Sequence, residues 1–481
     1  MRHSNIRWLA FVPILVFCTL VSAGGIDLAA SIDALLADPA LKYGIQGVVV
    51  ESLSTGEVLY ERNRNIAFVP ASNFKLIVSA AALDCFGPDH RFYTSIYITA
   101  EVDSSGTLDG DVVIVGGGNP VLSTTDLKSI VEDIKNLGIK RITGNIVADS
   151  SLFDDLPLGQ GWSWDYEPYY YAAQISALNL DRNVVKVQVR PGVKPGDPAY
   201  VSLNPSSGYL TVKTTAVTGA AGSENTLYID RERGKNKIRV SGSIPMDYNG
   251  VFVEPITMEN PALYTATMFR ELLSQSGIKV DGTATCGLKP DNAQLIVKHQ
   301  SPPLSDILPL LNKPSDNLIA EVLFKSLGAR FKGRGAAANA EKVELDFLSK
   351  IGADTKAIAI NDGSGLSRLN YVTPGNLIVL LRFMWNHEHS KVYIKSLPVA
   401  GVDGTLRSRM KGTAAEGNVR AKTGYVSRAS CLSGYVTTSD GVPLVFSIMM
   451  NGHMCPNSEA KRVQDSICAL LAGLKLSSDK Q

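Results

Sequence analysis

The chain has 481 residues, with 47 Lys plus Arg against 46 Asp plus Glu and a formal net charge of +1. Its 45% hydrophobic and 19% charged content excludes a disordered chain, and 42 glycines without a three-residue period exclude collagen. The balanced charge gives no electrostatic case for nucleic acid or an anionic membrane as partner, and six cysteines are too few to build the fold from disulfides.

Arg2 and Arg7 lead into an apolar stretch from Trp8 to Val21, followed by Val21-Ser22-Ala23. A basic start, a short apolar run and a small-residue exit predict a secretory signal over 1–23, hence an exported protein, periplasmic or at the cell wall. The run is broken by Pro13 and is shorter than the ~20 apolar residues of a membrane span. Beyond it lie Cys85, Cys286, Cys431, Cys455 and Cys468, whose spacing leaves any pairing open.

Apolar spacing (Ile32, Leu35, Leu36) predicts a helix within 27–39. Two β-rich runs, 47–50 and 57–60, flank Ser54-Thr55-Gly56 and read as a hairpin. Pro70 and Ser72 before the apolar run Leu76 to Leu83 mark a helix start. From about 94 to 290 the chain turns to short β-like runs, with one helical pattern at 262–275 closed by Gly277. Helical patterns return at 317–326 and 337–351; strands are expected at 434–438 and 444–450, and a closing helix at 459–474. This predicts one α/β domain split in sequence by a large β-rich insertion.

Six histidines form no metal or triad motif. His387 and His389 do not share a helix face and are expected at an exposed helix end. Gly116-Gly117-Gly118 has no following Gly-Lys-Ser/Thr, so it reads as a turn and not as a phosphate loop. Three polar motifs remain. In Ser72-Asn73-Phe74-Lys75, residues i and i+3 share a helix face, so Ser72 and Lys75 can meet. A serine hydroxyl needs a base, and a desolvated lysine can be one. The same Ser-x-x-Lys spacing recurs at Ser276, Ser408, Ser458 and Ser477, but only Ser72 opens an apolar helix upstream of the other two motifs. Those are Ser315-Asp316-Asn317, a helix-capping turn able to present Ser315 and Asn317 to a cleft, and Lys422-Thr423-Gly424, at the start of a β-rich run. There Lys422 offers positive charge to a carboxylate, and Gly424 leaves room for a substrate backbone.

Ser-x-x-Lys, Ser-Asp-Asn and Lys-Thr-Gly in this order are the active-site set of β-lactamases and penicillin-binding proteins. The chain resembles the class C, low-molecular-mass penicillin-binding proteins of the penicillin-binding-protein-4 type, which are D-alanyl-D-alanine carboxypeptidase/endopeptidases. Pro70 to Lys75, Asp111 to Pro120, Gly144 to Val147, Gly161 to Asp165, Ser176 to Asn179, Asn361 to Arg368 and Leu397 to Leu406 carry the resemblance. It implies a transpeptidase/β-lactamase-like α/β (α+β) core, with an antiparallel sheet flanked by helices, over 24–95 and 295–481. It also implies an inserted second domain over 96–186 and 261–294, with a β-rich third domain nested at 187–260.

The implied substrates are peptidoglycan stem peptides, with β-lactam antibiotics as covalent inhibitors and neither cofactor nor metal. Ser72 is the implied nucleophile, Lys75 its base, Ser315 the proton relay and Asn317 a holder of the substrate amide. Lys422 and Thr423 bind the terminal carboxylate. Backbone N–H groups of Ser72 and Tyr425 form the oxyanion hole, and Asp165 pairs with the free amine of a diaminopimelate side chain. The alternatives are a serine β-lactamase, disfavoured because no Glu-x-x-Leu-Asn element occurs, and a non-enzymatic peptidoglycan-binding scaffold. The oligomeric state and any loose association with a membrane are not fixed by the sequence.

Overall fold

A computed structural model describes residues 27–476; the signal expected over 1–23 lies outside the described residues. Five antiparallel strands form the central sheet, in the order Arg420–Val426, Ala429–Thr437, Pro443–Asn451, Ile45–Ser52, Val58–Arg62. The strand period of two splits their side chains between two cores. Val49, Cys431, Tyr435, Val445 and Met449 face one helical layer. Val48, Val50, Leu432, Val436 and Ile448 face the helices Leu28–Leu36 and Asn457–Gly473. The apolar stripe of the closing helix is therefore core: Ile467 and Leu471 are fully buried. The helix Lys75–Phe86 is buried from Lys75 through Leu83 and packs in the first layer with Leu304–Asn312, Asn317–Lys332, Ala337–Lys350 and Pro374–Asn386. A helix apolar on every side belongs in the middle of a domain.

The insertion carries a second five-stranded sheet, ordered Ala284–Cys286, Ile146–Asp149, Val112–Gly117, Tyr93–Ile98, Gln294–Gln300. Its last two strands pair from Ile98↔Gln294 to Tyr93↔Gln300. Breaks at 95/96 and 294/295 fall inside these paired strands, so the inserted sheet extends to Tyr93 and Gln300. A smaller region holds Val184–Arg190 between Tyr200–Asn204 and Phe252–Thr257, and Lys237–Ser241 between Thr211–Thr214 and Tyr228–Arg231. Val187, Ile238 and Ile244 of this region share one continuous apolar core with Ile96, Ile114 and Phe269 of the larger sheet. The insertion also contains a helix absent from the sequence reading, Thr124–Asn136, with a Ser123/Asp126 capping box and buried Leu127, Ile130, Val131 and Ile134.

Among the described residues, no helix is long and apolar enough to cross a membrane. The five described cysteines are all free, and Cys431 and Cys468 are buried. His387 is not exposed: its Nε2 lies 3.2 Å from Asp84 Oδ1, with 9% of the side chain accessible.

Candidate active site

The nucleophile motif is split between two kinds of helix. Ala71–Phe74 forms a 3-10 turn, and the α-helix begins at Lys75. Three residues per turn stack i directly over i+3, and Lys75 Nζ donates to Ser72 Oγ at 2.9 Å. Ala71 is held at a positive φ of 47°, which turns the chain sharply into this motif.

Lys75 is fully buried, and its Nζ also donates to Asn317 Oδ1 at 2.6 Å and to the Ser364 carbonyl at 2.5 Å. Burial lowers its pKa to about 8, opposed by the nearby acids Asp362, Glu321 and Asp316. A neutral amine has two N–H bonds and one lone pair. In the neutral form the two carbonyl oxygens take the N–H groups, so the lone pair replaces the third N–H and faces the Ser72 hydroxyl.

Each carbonyl is itself fixed. Asn317 opens the helix Asn317–Lys332, capped by the Asp316 carboxylate on the Ile319 N–H. The Asn317 Nδ2 donates to the Tyr171 carbonyl at 2.7 Å, so Oδ1 faces Lys75. Ser364 sits in a turn built on two buried acids. Glu321 accepts from the N–H groups of Gly363 and Ser364, at 3.1 and 2.8 Å. Asp362 accepts from Gly365 N, Ser367 N, Asn370 Nδ2 and Trp162 Nε1. Burial raises the pKa of Glu321 to about 7.

Lys422 lies on the edge strand Arg420–Val426, and its position differs from the sequence expectation. It is fully buried and does not line the cleft; its Nζ donates to Ser315 Oγ at 2.8 Å and to the Thr423 carbonyl at 3.0 Å. Burial, reinforced by the neighbouring Lys75, lowers its pKa well below the ordinary value. The cations on the cleft wall are Lys461 and Arg409, the latter held by Asp465 and Gln464. The sequence reading had no signal for Arg409 beyond its place just after the Leu397 to Leu406 block. Thr423 Oγ1 lies on the open side, 2.8 Å from Thr405 Oγ1.

Gly424 also differs. A Cβ there would come within 2.5 Å of the Pro70 carbonyl and 3.0 Å of Asn73 N. The nucleophile turn itself therefore requires glycine here, and Gly424 also lines the cleft. Gly365, at φ +78°, closes on the same turn from another side, where a Cβ would meet the Ala71 carbonyl at 1.9 Å.

These elements surround a cleft of about 590 Å³ lined by Ser72, Ser315, Asn317, Thr405, Thr423 and Tyr425, with Tyr166, Tyr170 and Tyr171 contributed by the insertion. Ser72, Lys75 and Asn317 thus form one hydrogen-bonded group, and Ser315 with Lys422 a second one beside it, close enough for Lys75 to depress the Lys422 pKa. Asp165 does not join them: it is exposed, accepts from Ser163 Oγ and is not among the cleft-lining residues. Trp162 donates its Nε1–H to Asp362 at 2.7 Å. Among the described residues, no group of three or more His, Cys, Asp or Glu is arranged to hold a metal ion.

Residues 28–474 match the model of the D-Ala-D-Ala carboxypeptidase 3 (S13) family. The chain is 42% identical over 461 residues to a D-alanyl-D-alanine carboxypeptidase of Actinomadura sp. (strain R39), covering 93% of this chain and 84% of that relative. It superposes on the crystal structure of penicillin binding protein 4 (dacB) from Haemophilus influenzae with a TM-score of 0.82 at 25% identity, covering 92% of this chain and 99% of that one. The same Haemophilus protein complexed with a β-lactam gives a TM-score of 0.76 at 24% identity, covering 92% and 98%.

Proposed function

The chain belongs to the D-Ala-D-Ala carboxypeptidase 3 (S13) family, and from that premise we propose how its own residues release D-alanine from peptidoglycan stem peptides. The enzyme is a serine peptidase. The observation that carries the reading is the 2.9 Å contact between Ser72 Oγ and a fully buried Lys75 whose pKa is lowered to about 8. Ser72 Oγ attacks the carbonyl carbon of the penultimate D-Ala while its proton passes to Lys75 Nζ. The developing oxyanion is met by the backbone N–H groups of Ser72 and Tyr425; one such donor is worth ~3 kcal/mol of barrier.

Collapse of the tetrahedral intermediate breaks the C–N bond. The leaving amine takes its proton through Ser315 Oγ, which sits against Lys422. The hydroxyls of Thr423 and Thr405 receive the terminal carboxylate, with Arg409 among the cations lining the cleft. The second N–H of Asn317 Nδ2 is left for a substrate carbonyl. Water then hydrolyses the acyl-enzyme. A leaving group that is a cross-linked neighbour makes the same chemistry an endopeptidase. A penicillin enters as a substrate whose acyl-enzyme turns over slowly. In this reading the enzyme is exported and acts on the wall.

Ser72→Ala is expected to abolish both D-Ala release from a stem pentapeptide and covalent labelling by a fluorescent penicillin. Label persisting at another residue refutes the assignment. Rapid turnover of a chromogenic cephalosporin supports a β-lactamase instead.

A further inference from the structure

We infer that the insertion is part of the general-base machinery: through Tyr171, Arg182 and Trp162 it holds the two carbonyl acceptors that aim the Lys75 lone pair at Ser72. This rests on the reading of Lys75 as the base of Ser72.

Three of the polar links that cross from the insertion to the catalytic core end beside a partner of Lys75. The Tyr171 carbonyl takes the Nδ2 of Asn317 and so decides which end of that amide faces Lys75. Arg182 Nη1 pairs with Asp316 Oδ2, while the other oxygen of Asp316 caps the helix that Asn317 opens. Trp162 Nε1 donates to Asp362, which organises the turn whose Ser364 carbonyl is the second acceptor. The helix bearing Asn317 is gripped farther along as well. Lys325, on that helix, donates to Asp154 Oδ1 at 2.6 Å and to the Leu156 carbonyl at 2.7 Å, and Phe153 packs with Leu318 and Val322.

The backbone around Arg182 is unusual. Asp181, Arg182 and Asn183 all have positive φ, at 49°, 62° and 55°. Non-glycine residues pay for that conformation, and it persists where the surroundings over-determine it. Here Asp181 is held by Thr124 and Asn183 by Gln174 and Asn179, which leaves Arg182 projecting to Asp316.

The charged groups facing Lys75 are Asp362, Glu321 and Asp316, which favour its ammonium form, and Lys422, which opposes it. Arg182 offsets Asp316. Removing Arg182 therefore raises the pKa of Lys75 and moves its neutral form to higher pH, besides loosening Asn317.

The test measures the rate of acylation of the full-length enzyme by a fluorescent penicillin across neutral and alkaline pH, with melting temperature alongside. Arg182→Ala is expected to acylate about 10- to 100-fold more slowly at neutral pH, with the rising limb displaced to higher pH. Arg182→Lys, which keeps the cation, should restore most of the rate and the limb. Trp162→Phe, which keeps the ring but removes the donor, should slow acylation without displacing a folded melting transition. It also serves as the second variant if Arg182→Ala fails to fold. Folded Arg182→Ala and Trp162→Phe enzymes with wild-type rates and pH profiles overturn the inference. A rate loss that follows melting temperature and is not rescued by lysine overturns it too. A wild-type enzyme that takes no label at Ser72 instead refutes the reading beneath it.

Discussion

The Asn317 side-chain amide has a fixed orientation: its oxygen receives Lys75 Nζ at 2.6 Å because its nitrogen is committed to the Tyr171 carbonyl at 2.7 Å. A polar residue in a capping turn thereby becomes a director of the base. It sorts the amine's three valences, leaving the lone pair for Ser72.

The rate of acylation should rise with pH through a limb near 8, because only neutral Lys75 can accept the Ser72 proton and its pKa is lowered to about 8. Below that limb the ammonium form dominates and the rate falls about tenfold per pH unit. Stopped-flow or quenched labelling with penicillin over a pH series measures it. Lys75→Arg, which cannot deprotonate, should lose at least about 10³-fold at every pH; a flat profile in the wild type contradicts the assignment.

Ser315→Gly should leave the fold intact, since Ser315 already sits at φ +64°, a conformation glycine accepts freely. It removes the hydroxyl that bonds Lys422. A loss of about 10²- to 10⁴-fold in kcat/KM for D-Ala release is expected, with an unchanged melting temperature. Wild-type kcat/KM would remove Ser315 from the proton path.

Reading the chain alone anticipates which side chains gather at the cleft because the motifs are local: Ser72 with Lys75 lies within one turn, and Ser315 with Asn317 within one cap. It misses what depends on distant chain segments. Lys422 reads as a charge for a carboxylate, since no local pattern reveals that its buried Nζ meets Ser315. Gly424 reads as space for substrate, since its neighbour Pro70 lies far away in sequence. Domain boundaries drift by a few residues because texture changes gradually, whereas pairing of Tyr93–Ile98 with Gln294–Gln300 is decided across the whole insertion. The helix Thr124–Asn136 was legible in principle, from its capping box and the spacing of Leu127, Ile130, Val131 and Ile134.

Gly365→Ala should disable the enzyme without touching a catalytic side chain. The added methyl group meets the Ala71 carbonyl at 1.9 Å, at a φ of +78° that disfavours alanine. Overpacking of this kind costs about 1–3 kcal/mol and displaces the nucleophile turn. Lower melting temperature together with slower penicillin acylation is the expected result. Gly441→Ala, also at positive φ but with open space around it, is the control and should retain full acylation.

Glu344→Gln should stabilise the protein, increasingly so as pH rises. Glu344 is fully buried on Ala337–Lys350, neither carboxyl oxygen has a hydrogen-bond partner, and burial with the nearby Glu321 and Asp362 raises its pKa well above the ordinary 4.5. An acid whose folded pKa lies above its unfolded value contributes fully below the unfolded pKa and loses that contribution as pH climbs towards the folded one. The neutral amide has no such loss. Melting temperatures of the two proteins should converge near pH 4 and separate by a few degrees at alkaline pH; parallel curves would show that Glu344 is not the titrating group.

Ile45–Ser52 lies between Val58–Arg62 and Pro443–Asn451 in the central sheet, which bears on biosynthesis. The nucleophile turn is made early, yet the strand that shelters it and the lysine opposite it come from the last stretch of chain. Loop closure across the entire insertion must precede assembly of the site. A nascent or truncated chain ending before Pro443 therefore carries Ser72 but no working hydrolase, so wall-cutting activity appears only when synthesis is essentially complete.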